Sequence, residues 1–351
     1  MVPEVDYEVH RLLCQWYAAH CRDLPWRQTK DPYRIWLSEI ILQQTRVQQG
    51  LPYYLDFIEH YPSVEQLAAA SLDEVLRHWQ GLGYYSRARN LHKAACCVVS
   101  EHQGRFPDTY QGLLSLPGVG PYTAAAIASF AYNLPCAVVD GNVYRVLARL
   151  YDIDINILSP AAYGQFQVLA KSCMRPDDSA GFNQAVMEFG ALQCTAQQPS
   201  CNDCPLSDRC LALARGHVEA RPVREQNLKR RERYLHYIFL YDNQGLWLRQ
   251  RQGNDIWRGL WEFPLLEEAR LMSLEELLAA HSELRAWLDG ALLHAPRDFR
   301  HQLTHQSIVA RFFPVKTQRD TLDGYIKVNF DDLDHYALSR LSLKFLEKFN
   351  H

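Results

Sequence analysis

The chain has 351 residues, 48% of them hydrophobic, and its 37 Lys and Arg nearly balance 40 Asp and Glu, for a formal net charge of −3. That length accommodates two domains with full cores, and the near-neutral balance excludes binding driven by a global positive field, so any nucleic-acid contact must come from local basic patches and main-chain N–H groups. No apolar run reaches the roughly 18 residues of a membrane span and no leader pattern opens the sequence. The expectation is a cytosolic protein, nucleoid-associated if bacterial, whose ten cysteines are buried thiols and metal ligands rather than disulfides.

In chain order, Tyr7–His20 places Val9, Leu12, Leu13, Trp16 and Tyr17 on one helical face, and the segment Leu24, Pro25, Trp26, Arg27 breaks it. Ile35–Leu42 is apolar all round except for Ser38 and Glu39. Glu39 is therefore expected to be buried or to line a cleft, where an unpaired carboxyl has its pKa raised and can act as a general acid; the alternative is a carboxylate on a solvated face. Gln43, Gln44, Thr45 and Arg46 end that helix as ordinary polar surface. Ser71 and Glu74 form a capping box for a helix through Trp79, followed by a glycine-hinged loop, GLGYYSRAR (81–89). Its tyrosines and arginines suit base stacking and phosphate contact, although Tyr84 and Tyr85 would serve equally as core.

The stretch 113–147 organises the rest. In LPGVG (116–120) two glycines permit a tight turn before an apolar helix, leaving N–H groups at a helix start where a phosphate can sit; a plain helix connector is the alternative. The run Ala137, Val138, Val139 then ends at Asp140, Gly141 and Asn142, and Val143, Val146, Leu147 and Leu150 repeat at helical spacing, which makes Asp140 an N-cap. Up to Arg149 nearly every segment reads as helix. Cys194, Cys201, Cys204 and Cys210 follow as C-x6-C-x2-C-x5-C, four thiolates that fit one tetrahedral zinc or a cubane iron–sulfur cluster. The other six cysteines read as packing residues. Residues 215–233 turn basic and lose periodicity, an exposed linker; beyond them 234–240, 246–251, 308–313 and 325–330 read as strands, with helices near 274–288 and 341–349.

The LPGVG turn, Asp140 in VDGN (139–142), Glu39 in WLSEIILQQT (36–45) and the cysteine set together resemble the helix-hairpin-helix base-excision glycosylases that carry an iron–sulfur cluster. The likeness covers nearly the whole chain, and GLGYYSRARNLHKAA (81–95) with LPGVGPYTAAAI (116–127) narrow it to the adenine-removing branch. The fold so implied is an all-α catalytic region over 1–214, with a six-helix part at about 26–133 and an iron–sulfur part from 1–25 and 134–214. A linker at 215–233 leads to a smaller α+β Nudix-like domain at 234–351. There IWRGLWEFP (256–264) resembles a Nudix stretch, but the glutamate run of the Nudix catalytic box is missing, which disfavours nucleotide hydrolysis.

The resemblance further implies a [4Fe-4S] cluster on the four cysteines and a monomer acting on duplex DNA that carries adenine opposite 8-oxoguanine or guanine, with the adenine flipped out. Glu39 would protonate adenine at N7 and later help activate water; Asp140 would stay ionised and stabilise or capture the sugar cation, steadied by Asn142 and Tyr122. Trp26, Arg27 and Gln184 match the adenine pocket, and the main chain of Gly118, Val119 and Gly120 matches a phosphate cradle. Gln44, Thr45 and Tyr84 match residues that enter the duplex where the base leaves. Phe299–His305 takes the place of a lesion-reading loop in which Thr304 and His305 meet 8-oxoguanine, Leu303 and Thr304 standing where the family has Phe and Ser. Tyr122 occupies the position at which a bifunctional lyase of similar fold needs a Lys to form a Schiff base, so a monofunctional glycosylase is expected.

Overall fold

Helix starts follow from capping chemistry. Ser71 Oγ accepts the Glu74 N–H (3.2 Å) while the Glu74 carboxylate accepts the Ser71 N–H (2.8 Å), satisfying two donors that a helix start leaves open. Asp31, Thr109, Asp140 and Asp178 cap four further helices with their side chains. The computed structural model describes residues 5–225, 230–303 and 305–349. The helices α1 (Tyr7–His20), α2 (Pro32–Ile41), α3 (Val47–His60), α4 (Val64–Ala69), α5 (Leu72–His78) and α6 (Ser86–His102) precede the hairpin pair α7 (Tyr110–Leu114) and α8 (Pro121–Tyr132). After them come α9 (Gly141–Leu150), α10 (Ala162–Cys173), α11 (Ser179–Leu192) and the short α12 (Leu211–Ala214).

By packing, the chain divides into two units: Met1–Ala68 with Lys93–Gln226, and Ala69–His92 with Asn227–His351. The described residues of the first unit hold only helices. One of its cores is shared by α1, α9, α10 and α11 through Val9, Leu13, Trp16, Val143, Leu147, Phe166, Phe182 and Phe189. α8 packs against α2, α7 and α11. Its run from Ala124 to Ala128 is fully buried; small side chains there let neighbouring helices come close, which draws α2 and α11 toward the start of α8. Among the described residues no helix is long and apolar enough to cross a membrane.

The second unit is built on a mixed sheet. β1 (Arg231–Tyr241) pairs parallel with β7 (Gln306–Lys316) and antiparallel with β2 (Gly245–Gln250) and β4 (Leu265–Glu268). β3 (Trp261–Glu262) and β8 (Ile326–Asn329) flank β2, and β5 (Leu292–Leu293) and β6 (Arg297–Gln302) pair antiparallel with β7. Alternation along β1 sends Ile238 and Leu240 into a core with Trp247, Leu277, Leu284 and Phe313. Tyr237 goes to the other face, stacked on Phe312 with centroids 4.6 Å apart, and Phe312 in turn stacks on Phe345 at 4.3 Å.

Three sequence expectations are corrected. The linker is not exposed throughout: β1 begins at Arg231, and Arg233 is only 6% exposed, bound by Asp255 (2.9 Å) and Glu267 (2.6 Å). Arg221 likewise pairs with Asp152 at 2.9 Å. These cations met acids distant in sequence, which a charge run read alone cannot reveal. The helix expected over 274–288 is two, α13 (Leu274–Ala280) and α14 (Glu283–Leu288), parted at His281, whose ring reaches Glu268 at 2.6 Å; the last helix, α15, is Arg340–Leu346. Most of the expected loop 299–305 is strand: β6 pairs antiparallel with β7, and its largely exposed, polar sequence RDFRHQ carries no apolar alternation that would mark it.

Candidate active site

The turn at Pro25–Arg27, α2, the starts of α8 and α9, and α11 enclose a cavity of about 190 Å³ lined by Trp26, Arg27, Glu39, Thr45, Tyr122, Asp140, Asn142, Gln184 and Glu188. Every residue of α2 from Ile35 to Ile41 is buried, so Glu39 cannot turn to solvent and faces the cavity instead. Burial raises its pKa to about 7, helped by the nearby Asp140 charge and opposed by the Tyr122 hydroxyl and Arg27. A carboxyl poised there is protonated in a useful fraction at neutral pH. Tyr122, in the first turn of α8, donates its phenol proton to Glu39; burial and both carboxyls hold that phenol well above its ordinary range, so it remains a donor.

Asp140 is both the N-cap of α9 and a carboxylate lining the cavity. Its Oδ1 accepts the N–H groups of Asn142 (2.9 Å) and Val143 (2.8 Å), and its Oδ2 accepts the Asn142 amide (2.8 Å). Burial raises its pKa while these donors oppose the rise. Arg145 fixes Asn142 in turn, donating to its Oδ1 (2.8 Å) and to the main-chain carbonyls of Gly190 (2.5 Å) and Cys194 (2.7 Å). A Cβ on Gly190 would lie 2.6 Å from the Asn142 Cβ, so only glycine allows α11 this close to α9. Asp140 is thus held through Asn142 and Arg145 by the backbone that begins the cysteine loop.

Arg27 is not free to meet a ligand as a lone cation. It and Arg22 clamp Glu188, which is 1% exposed, with Arg27 at 2.9 and 2.7 Å and Arg22 at 2.8 and 2.6 Å, while the Arg22 N–H adds a fifth donor at 2.9 Å. Burial would raise the Glu188 pKa, but these donors hold it down at about 2. Gln184, one turn earlier on α11, accepts the Tyr17 hydroxyl at 2.7 Å, and Trp26 packs edge-on against Tyr54. Sequence reasoning missed Glu188; the four-residue spacing from Gln184 puts both on one face of α11, but nothing local marks it as the partner of Arg22 and Arg27.

A second opening, shared by Glu39 and Asp140, is lined by Gln43, Gln44, Gly118, Gly120 and Tyr122. Gly118 has φ +74°, a left-handed conformation that favours glycine, and Gly120 precedes Pro121 at the first helical position of α8. The Val119 N–H donates to the Leu116 carbonyl (3.1 Å) and its side chain is buried, so Val119 anchors the turn. Gln43 ties α2 to α8 through Thr123 Oγ1 at 3.1 Å, while Gln44 is exposed with φ 55°. Tyr84 and Tyr85 part ways: Tyr85 is core, whereas Tyr84 is 48% exposed at φ 48°, in the second unit. In that unit His305 is exposed at the β6–β7 turn and its carbonyl accepts the Arg231 N–H at 3.0 Å; Thr304 lies outside the described residues.

The four cysteines follow α11, and three of them, Cys194, Cys204 and Cys210, pack against the α1–α9–α11 core. Burial, and then the neighbouring thiols of the set, push the Cys204 and Cys210 thiols up. Yet among the described residues the groups of three ligand atoms within 4.8 Å of one another lie elsewhere. A single tetrahedral zinc with Zn–S of about 2.3 Å holds its sulfurs about 3.8 Å apart, whereas a four-metal cluster needs a wider ring. Arg149 lines the loop, donating to Cys194 Sγ (3.4 Å) and to the carbonyls of Thr195 (2.6 Å) and Ala196 (3.3 Å), a cation suited to a site that gathers thiolates. The donor set fits an iron–sulfur cluster.

Residues 37–162 match the HhH-GPD superfamily of base excision DNA repair proteins, and 236–348 match the NUDIX domain. An adenine DNA glycosylase of Buchnera aphidicola subsp. Acyrthosiphon pisum (strain APS) is 30% identical over 351 residues, covering 98% of each chain. The chain belongs to the adenine DNA glycosylase family. The Homo sapiens adenine DNA glycosylase is 44% identical over 216 residues, 59% of this chain and 40% of the human one. Among solved structures, that of a thermostable thymine-DNA glycosylase superposes with a TM-score of 0.54 at 29% identity, covering 58% of this chain and 94% of its own. As a member of the adenine DNA glycosylase family the protein is a DNA-binding base excision repair enzyme that hydrolyses N-glycosidic bonds.

Proposed function

We propose that the protein removes adenine paired with 8-oxoguanine or guanine in duplex DNA, as a monofunctional, monomeric glycosylase. The observation that carries this reading is the placement of Glu39, with a pKa of about 7, in one small cavity with Asp140, Tyr122 and Gln184. Cleavage of an N-glycosidic bond develops positive charge on the sugar and negative charge on the leaving base. Protonated Glu39 supplies a proton at N7 of adenine and, once ionised, accepts one from the attacking water. Asp140 in its ionised form meets the oxocarbenium-like sugar, and Asn142 and Tyr122 keep both carboxyls in place. Trp26, Arg27 and Gln184 line the base pocket, with Arg27 shaped by its clamp on Glu188. Gly118 and Gly120 offer main-chain N–H groups to a phosphate, and Gln44, Thr45 and Tyr84 enter the duplex. Thr304 and His305 read 8-oxoguanine.

Cys194, Cys201, Cys204 and Cys210 hold a [4Fe-4S] cluster, which when bound cross-links the loop after α11 and leaves the carboxylate chemistry to Glu39 and Asp140. A hydroxyl at Tyr122 cannot form a Schiff base, so no strand cleavage accompanies excision. The test is incubation with duplexes carrying adenine opposite 8-oxoguanine, adenine opposite guanine, thymine opposite guanine, and thymine glycol, followed by alkali. Alkali-labile sites only at adenine are expected; cleavage at thymine or thymine glycol, or nicking without alkali, would overturn the assignment.

A further inference from the structure

Residues 69–92 lie between helices of the catalytic region in sequence but pack with the C-terminal residues in one unit. The attachments are specific and fall on both sides of the loop that carries Tyr84. Before the loop, Gln250 Nε2 donates to Asp73 at 2.6 Å and the Leu338 N–H donates to Gln80 Oε1 at 2.8 Å. Gly259 lies so near Leu76 that an added Cβ would meet its Cδ1 at 3.2 Å. After the loop, Arg89 donates to the Arg258 carbonyl at 2.8 Å. Inside it, the Trp79 indole and the Arg87 guanidinium both donate to the Gly83 carbonyl (2.9 and 3.2 Å), and the guanidinium lies over the Trp79 and Tyr84 rings at 5.0 and 5.6 Å. Tyr84 adopts φ 48°, which a bulky residue keeps only where its surroundings over-determine it.

We infer that the C-terminal domain is a positioning element for the Tyr84 loop, with Gln80 as the positioning residue that transmits its hold. Gln80 is adjacent to Trp79, whose indole fixes Gly83, so the Leu338 amide sets the base of the loop and thereby the ring that Tyr84 presents to DNA. The inference rests on the proposed reading of Tyr84 as a residue that enters the duplex. It gives the domain a second task beside reading the opposite base: it keeps a strained aromatic aimed for base extrusion.

The experiment measures single-turnover adenine excision, and the fluorescence of 2-aminopurine placed at the adenine position, in full-length Gln80→Met, Gln80→Glu, Tyr84→Leu and the Gln80→Met/Tyr84→Leu double variant, with Tm as a folding control. Gln80→Met removes the acceptor for Leu338 and should lower both the rate and the fluorescence change about 10-fold. Gln80→Glu keeps an acceptor and should stay within about two-fold of wild type. In the Tyr84→Leu background Gln80→Met should add nothing. Equal losses from Gln80→Met in both backgrounds, a Glu variant as impaired as the Met variant, or a Tyr84→Leu protein indistinguishable from wild type would each overturn the inference. If wild-type protein excises no adenine, the proposed function fails while the fluorescence arm still tests the positioning.

Discussion

Between its ordinary value of 4.5 and its value of about 7, Glu39 holds a proton in the folded protein that the unfolded chain has released. Stability therefore falls as pH rises through that window, because the native state binds more protons there. Glu39→Gln removes the ionisable group, so its Tm should exceed that of wild type at pH 8 and the gap should close by pH 4. A constant gap across that range would show that packing, not ionisation, sets the difference. On the proposed reading the same proton goes to the leaving base, so wild-type single-turnover excision should decline as pH rises through about 7, and Glu39→Gln should lose on the order of 10²- to 10⁴-fold and with it that decline. Survival of the alkaline decline in the residual activity would remove Glu39 as the acid. At Asp140 the cap and the chemistry can be separated, because Asn is as good an N-cap as Asp. Asp140→Asn should keep Tm and DNA affinity near wild type while abolishing excision, since the loss falls on the transition state; near-normal excision by this variant would take Asp140 out of the mechanism.

Elements built from local signals were readable in the sequence, and those built from distant pairings were not. The helix Tyr7–His20, the Ser71–Glu74 capping box and the Asp140 cap depend on residues within a few positions of one another, and the structure has all three. Glu188 depends on Arg22 and Arg27, more than 160 residues earlier, so nothing near it in sequence marks it as the acid of a double clamp. Removing it strands those guanidiniums, and Glu188→Ala should cost on the order of 3 kcal/mol in denaturant unfolding. Because its pKa is held at about 2, that contribution is fully present above the ordinary 4.5 and is lost as pH falls through about 2. A loss below about 0.5 kcal/mol, the scale of an exposed ion pair, would mean that water replaces the clamp. The cysteine loop reads as a candidate metal site because four thiols sit on one short stretch, and its spacing alone leaves zinc and iron–sulfur both open. We expect a brown protein with four irons per chain, and Cys201→Ser should weaken DNA binding by loosening the loop; one zinc and no iron on elemental analysis would exclude the cluster.

At the scale of the whole molecule, the C-terminal sequence predicts an appended reading domain, whereas the packing unites it with residues 69–92. That changes what removing it would do. A chain ending at Arg233 loses Gln250, Gly259, Leu338 and the Arg258 carbonyl, the groups that meet Asp73, Leu76, Gln80 and Arg89. Excision opposite guanine should therefore fall together with the preference for 8-oxoguanine. A single change at the reading turn should act differently. His305 is exposed, and the bond that joins it to Arg231 uses its main-chain carbonyl, so His305→Ala leaves the sheet and residues 69–92 as they are. That variant should lose preference for adenine opposite 8-oxoguanine while excising adenine opposite guanine at the wild-type rate. Comparing the two proteins on both duplexes under single-turnover conditions separates reading from positioning. A truncated protein that behaves like His305→Ala would show that residues 69–92 hold their shape alone, and that the domain contributes recognition and nothing more.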